Sequence, residues 1–112
     1  MNTQHISIGY FSSKTGLSIR ALRLYDEVGL LKPALVASHN KYRYYQPEQI
    51  ELAKQIKAYR ENEVPLGEIK LILDNPPTAK EKLAMHLERL RTRLLQQQSM
   101  IGQVEQLLAQ TR

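Results

Sequence analysis

Thr15-Gly16-Leu17-Ser18-Ile19-Arg20-Ala21-Leu22-Arg23-Leu24-Tyr25-Asp26 reads as the junction of two helices, and the rest of the chain is interpretable from it. Gly16 can take the positive φ that a sharp turn between helices demands. Ser18 can accept a hydrogen bond from the free amides of the next helix's first turn. Arg20 and Arg23, three apart, project side by side, while Ile19 and Leu22 form a separate apolar pair. A short helix packed through its aliphatics, with paired guanidiniums outward, suits the major groove of DNA. An ordinary helical hairpin with a solvated basic face fits the same twelve residues.

The downstream sequence adds a wing. Pro33 closes the region after Leu30-Leu31-Lys32, because the residue before a proline is pushed away from helical ψ. The polar stretch 37–41 supplies turn formers and Tyr42-Arg43-Tyr44-Tyr45 supplies strand formers, so 34–45 reads as a small β-hairpin. Tyr42 is the tyrosine expected to pack beneath it.

These residues resemble the N-terminal half of a MerR-type transcription regulator. The likeness rests on Ile6-Ser7-Ile8-Gly9, Ser18-Ile19-Arg20-Ala21-Leu22-Arg23, Tyr25-Asp26-Glu27-Val28-Gly29-Leu30-Leu31-Lys32-Pro33, Tyr42-Arg43-Tyr44-Tyr45 and Pro65-Leu66-Gly67-Glu68-Ile69, in order and spacing. The spelling is closest to the multidrug-responsive, BmrR-like branch. Leu24 departs from that pattern by replacing the aromatic that commonly precedes Tyr25. Asn62-Glu63 departs from it by replacing a glycine-containing turn.

Composition narrows the function classes. The chain has no cysteine, which excludes disulfides and thiolate metal sites. His5, His39 and His86 show no ligand spacing and read as surface residues, so neither metal nor cofactor is expected. No glycine-rich phosphate loop, paired carboxylates or Ser/His set supports an enzyme. The polar Met1–Ile6 stretch is no secretory signal and no run spans a membrane, so a cytoplasmic protein is expected. The formal net charge is +5. Its distribution says more: residues 18–60 carry a net +4, and residues 61–77 a net −3. Basic charge thus gathers where a groove reader, wing and following helix would lie.

Gln46-Pro47-Glu48 opens the next helix with Pro47 in its first turn. Pro65 starts a short one whose Leu66, Ile69, Leu71, Ile72 and Leu73 face the core. Asn75-Pro76-Pro77 is the clearest linker, dividing the chain into a winged helix–turn–helix unit (1–77) and a tail helix (78–112). In the tail, Leu83, Leu87, Leu90, Leu94, Gln97, Ile101, Val104 and Leu108 are spaced 4, 3, 4, 3, 4, 3 and 4 apart, a coiled-coil seam. Such a helix runs about 50 Å at 1.5 Å per residue, too long to hide its stripe on a small domain. Self-dimerisation through Leu83, Leu87, Leu90, Leu94, Ile101, Val104 and Leu108 is expected; a helix folded back on its own domain is the alternative.

The fold class expected is therefore mainly α: a winged helix–turn–helix domain followed by a dimerisation helix, antiparallel by the resemblance. Expected partners are double-stranded promoter DNA, a second copy and, by the resemblance, RNA polymerase at the promoter. The expected DNA-binding residues are Ser18, Arg20, Arg23, Tyr25, Arg43, Tyr44, Tyr45, Lys57 and Arg60. The resemblance further implies distortion of a promoter spacer, with the effector-binding domain absent from these 112 residues. An architectural, excisionase-like DNA binder and a pure coiled-coil interaction module are the competing readings.

Overall fold

In the computed structural model, which describes residues 4–112, two helices meet at the predicted glycine. The first three residues of the expected 1–77 unit, and of the polar Met1–Ile6 stretch, lie outside the described residues. Strand β1 (Ile6–Ser7) leads directly into α1 (Ile8–Thr15), so Ile8 and Gly9 are helical. Ser7 caps α1 by accepting from Tyr10 N–H. Gly16 ends it at φ 77°, its N–H donating to the Ser12 carbonyl at 2.9 Å. Two hydroxyls brace this turn: Ser12 Oγ donates to the Leu17 carbonyl, and Thr15 Oγ1 accepts from Leu17 N–H.

Helix α2 (Ile19–Glu27) starts at Ser18, whose hydroxyl accepts from Ala21 N–H at 3.0 Å. It stops at a second left-handed glycine, Gly29, beyond which Leu30 and Leu31 both donate to the Tyr25 carbonyl. Strands β2 (Leu35–Val36) and β3 (Arg43–Tyr45) form the wing, paired Leu35 with Tyr44 and Val36 with Arg43. Strand β1 pairs with the other edge of β3, giving a three-stranded antiparallel sheet of order β1-β3-β2. The wing is thereby anchored to the start of α1.

Helix α3 (Gln49–Glu61) begins two residues after Pro47, which lies in the preceding turn and not in the helix. Gln49 secures that junction by accepting from Gln46 N–H and donating to the Lys32 carbonyl. Helix α4 (Leu66–Asp74) buries Ile69 and Ile72, but Leu71 points outward at 52% exposure, correcting its assignment to the core. On a helix, Leu71 lies about 100° from Ile72 and cannot share its face.

The core is built from Phe11, Leu22, Leu31, Tyr45, Ile56 and Ile69, all fully enclosed. Phe11 and Tyr45 stack with ring centroids 4.1 Å apart and planes 6° from parallel. Ile19, expected to pair with Leu22, is exposed; only Leu22 of the two enters the core.

Pro76–Thr78 form a 3-10 turn, and α5 (Ala79–Gln110) follows for 32 residues, about 48 Å. Its first turns fold back on the preceding unit. Leu83 packs against the core, and His86, expected at the surface, is only 8% exposed. His86 Nε2 donates to the Asn62 carbonyl at 2.8 Å, while Arg89 approaches Nδ1 at 3.3 Å, which selects the Nε2–H tautomer. Arg89 pairs with Glu68 and Arg93 with Glu63, each at 2.7 Å. The α3–α4 turn they grip contains Glu63 at φ 60°, a left-handed non-glycine residue. Every residue of α5 beyond Leu90 is exposed. Among the described residues no helix is long and apolar enough to cross a membrane.

Candidate nucleic-acid interface

The cap at Ser18 and the buried pair Leu22 and Tyr25 orient α2, so the opposite side of the helix faces out. Arg20 and Arg23 are both exposed on that side and line one shallow recess with Ser18, Ile19, Leu24 and Glu27. Arg23 also borders a second recess, between α2 and the wing, whose other walls include Asn40, Lys41, Tyr42 and Arg43. One side chain thus joins the helix face to the wing.

The wing is held in place electrostatically. Arg43 Nε donates to Asp26 Oδ2 at 2.8 Å, both side chains being largely covered, and Lys32 Nζ lies 3.5 Å from the other carboxylate oxygen. At the wing tip Lys41 adopts φ 61°, supported by a 2.8 Å hydrogen bond from its N–H to the Ala37 carbonyl. Asn40 Oδ1 accepts from Tyr42 N–H, the local bond that makes asparagine a turn former.

Three tyrosines look different in three dimensions from their sequence assignments. Tyr45 is enclosed against Phe11, and its hydroxyl has no hydrogen-bond partner among the described residues; it is a core residue and not a DNA contact. Burial and the nearby Asp26 carboxylate raise its phenol above the ordinary value. Tyr42, assigned to packing, is instead exposed and leans towards the half-buried Tyr44 at 6.4 Å. The alternation of strand faces explains the exchange, since the inward position of β3 falls on Tyr45. Tyr25 is almost wholly buried, so a phosphate contact from it is restricted to the small exposed remnant of the side chain.

On α3, Lys57 sits over the helix–turn–helix glycine, where a Cβ on Gly16 would come within 2.6 Å of Nζ, and lies 3.5 Å from Glu61. Arg60 donates to the Val64 carbonyl at 2.9 Å, bracing the α3–α4 turn. Both cations are already engaged within the chain, unlike Arg20 and Arg23, for which no ion pair occurs among the described residues.

The tail presents the second candidate surface. Leu87, Leu94, Ile101, Val104 and Leu108 are exposed, with Met100 and Leu107 widening the stripe. Leu90 is half-buried and Leu83 is occupied by its own domain, so the open seam is shorter than the expected one. Sequence reading missed Asp26 as the wing's anchor, His86 as the tail's anchor, and Ile19 and Leu24 on the exposed side of α2 beside the arginines. Only Leu24 carried a signal, lying four residues from Arg20 on one helix face.

Comparison with known proteins agrees with this architecture. The family described as MerR HTH family regulatory protein matches residues 6–76. The transcriptional regulator BrlR of Pseudomonas aeruginosa is 37% identical over 109 residues, covering 93% of this chain and 40% of its own. The multidrug-efflux transporter 1 regulator of Bacillus subtilis is 39% identical over 74 residues, 66% of this chain and 27% of its own. The crystal structure of MtaN, the N-terminus of the Bacillus subtilis multidrug transporter activator, superposes with a TM-score of 0.79 at 30% identity. That alignment covers 91% of this chain and 96% of MtaN. The chain therefore spans well under half the length of the curated relatives it matches.

Proposed function

Because this chain belongs to the MerR helix–turn–helix regulatory family, we propose that it is a sequence-specific, double-stranded DNA-binding transcription regulator acting as a homodimer. The observation that carries this reading is the placement of Arg20 and Arg23 on α2 and Lys41 and Arg43 on the wing around two recesses that share Arg23. Two unpaired arginines on a capped, rigid helix suit base edges, and a tethered wing suits phosphates.

In this reading two copies pair through the exposed α5 stripe, antiparallel, and present their α2 helices to successive major grooves. The anchors at His86, Arg89 and Arg93 make α5 a rigid extension of the reading unit, so dimer geometry fixes the spacing of the half-sites. Bending or untwisting the promoter spacer between them costs a few kcal/mol, offset by added backbone contacts. RNA polymerase at the same promoter, in the cytoplasm, completes the partner set. No residue of the 112 recognises an effector in this reading.

The test is selection from a random duplex pool followed by fluorescence-anisotropy titration at two salt concentrations. A two-fold symmetric selected site whose affinity falls steeply with salt is expected. Failure to enrich any site would remove the regulator reading, and an asymmetric site bound by a monomer would favour an architectural binder.

A further inference from the structure

The outward side of α2 is not uniformly charged. Arg20, Arg23, Leu24 and Glu27 recur at helical spacing on one face, and all four are exposed. Leu24 is 43% exposed at the middle of this stripe, one turn from Arg20 and one residue from Arg23. The fold does not use it, because Leu22 and Tyr25 fill the core from this helix. The apolar group that a major groove presents is the C5-methyl of thymine. A leucine flanked by two guanidiniums on a groove-facing helix is chemically matched to it.

We infer that Leu24 is a specificity-determining residue that covers a thymine methyl in each half-site, beside the base read by Arg20. The inference rests on the DNA-binding reading above. Helix geometry places the two side chains about 6 Å apart along the axis. Bases are stacked about 3.4 Å apart, so the thymine lies within about two base pairs of the Arg20 contact.

The experiment uses the full chain and its selected duplex, made without 5-methylcytosine, which carries the same methyl. Each thymine is replaced in turn by deoxyuridine, which removes the methyl and leaves base pairing intact. At one symmetric position, affinity should fall about fourfold per half-site, the effect of one buried methyl group. Leu24→Ala, at an exposed position, should keep the helical circular-dichroism spectrum and bind the thymine and deoxyuridine duplexes equally. A deoxyuridine effect undiminished in Leu24→Ala, or tight salt-dependent binding indifferent to deoxyuridine everywhere, would overturn this inference alone. Absence of salt-dependent binding to any duplex would overturn the DNA-binding reading and the inference with it.

Discussion

Arg43 Nε lies 2.8 Å from Asp26 Oδ2, so the wing strand is fastened to the C-terminal end of the helix that carries Arg20 and Arg23. The wing's basic residue is thus a structural strut as well as a candidate phosphate contact. Asp26→Ala removes a negative charge and by charge alone should strengthen DNA binding. If the strut sets the wing's position, Asp26→Ala should instead weaken binding to all sequences about equally. A urea-denaturation double-mutant cycle with Arg43→Ala should show about 1 kcal/mol of coupling, since the pair is largely shielded. Zero coupling with raised DNA affinity would assign Arg43 to DNA alone.

The proposed function makes Arg20 the base-reading residue of α2. Arg20→Ala should cost about 1–3 kcal/mol of DNA affinity and relax preference at one symmetric position per half-site. Selected-site profiles of the two proteins make the comparison directly, and identical profiles would take Arg20 out of the reading set.

In the proposed homodimer a second copy covers the tail's open stripe. Leu94 and Ile101 are both more than half exposed, so Leu94→Asp with Ile101→Asp leaves the folded unit untouched. In a paired seam the same changes place up to four carboxylates in an apolar interface. Light scattering at micromolar concentration should report a dimer for the parent chain and a monomer for the variant. Operator affinity should fall steeply because each half-site is then bound independently.

The raised phenol of Tyr45 gives an alkaline signature. A phenol that ionises less readily when folded contributes stability below the ordinary value, about 10, and loses it as pH rises through the folded one. Tyr45→Phe should abolish that alkaline loss in thermal melts. It should also raise stability at neutral pH by about 1 kcal/mol, because the buried hydroxyl lacks a partner. A destabilised Tyr45→Phe protein would show that the hydroxyl is satisfied.

Glu63 gives the acid counterpart. The hydrogen bond and charge of Arg93 hold its carboxyl below the ordinary carboxylate value. Its contribution is therefore present above that ordinary value and lost as pH falls through the depressed one. Arg93→Gln should abolish this acid dependence, as followed by melts between about pH 5 and pH 2. In that background Glu63→Gly should raise the melting temperature, because glycine occupies φ 60° without strain.

What the sequence determined by itself was whatever depends on near neighbours along the chain. Gly16 at positive φ, Ser18 as a cap, the arginine pair three residues apart, the strand-forming tyrosines and the 4-3 apolar spacing of the tail are all local or periodic signals. Each lies on the element where the pattern puts it, save Tyr42, which precedes β3, because helix and strand geometry repeats over a few residues. The tertiary structure alone decided which face of each element meets another. Tyr45 rather than Tyr42 enters the core because β1 and α1 close over β3. Asp26 finds Arg43 across 17 residues, and His86 finds the Asn62 carbonyl across 24. Leu83 packs against the core because α5 leans on the preceding helices at its start. Burial and ion pairing depend on how separate segments dock, and no local spacing encodes the partner that arrives from elsewhere in the chain.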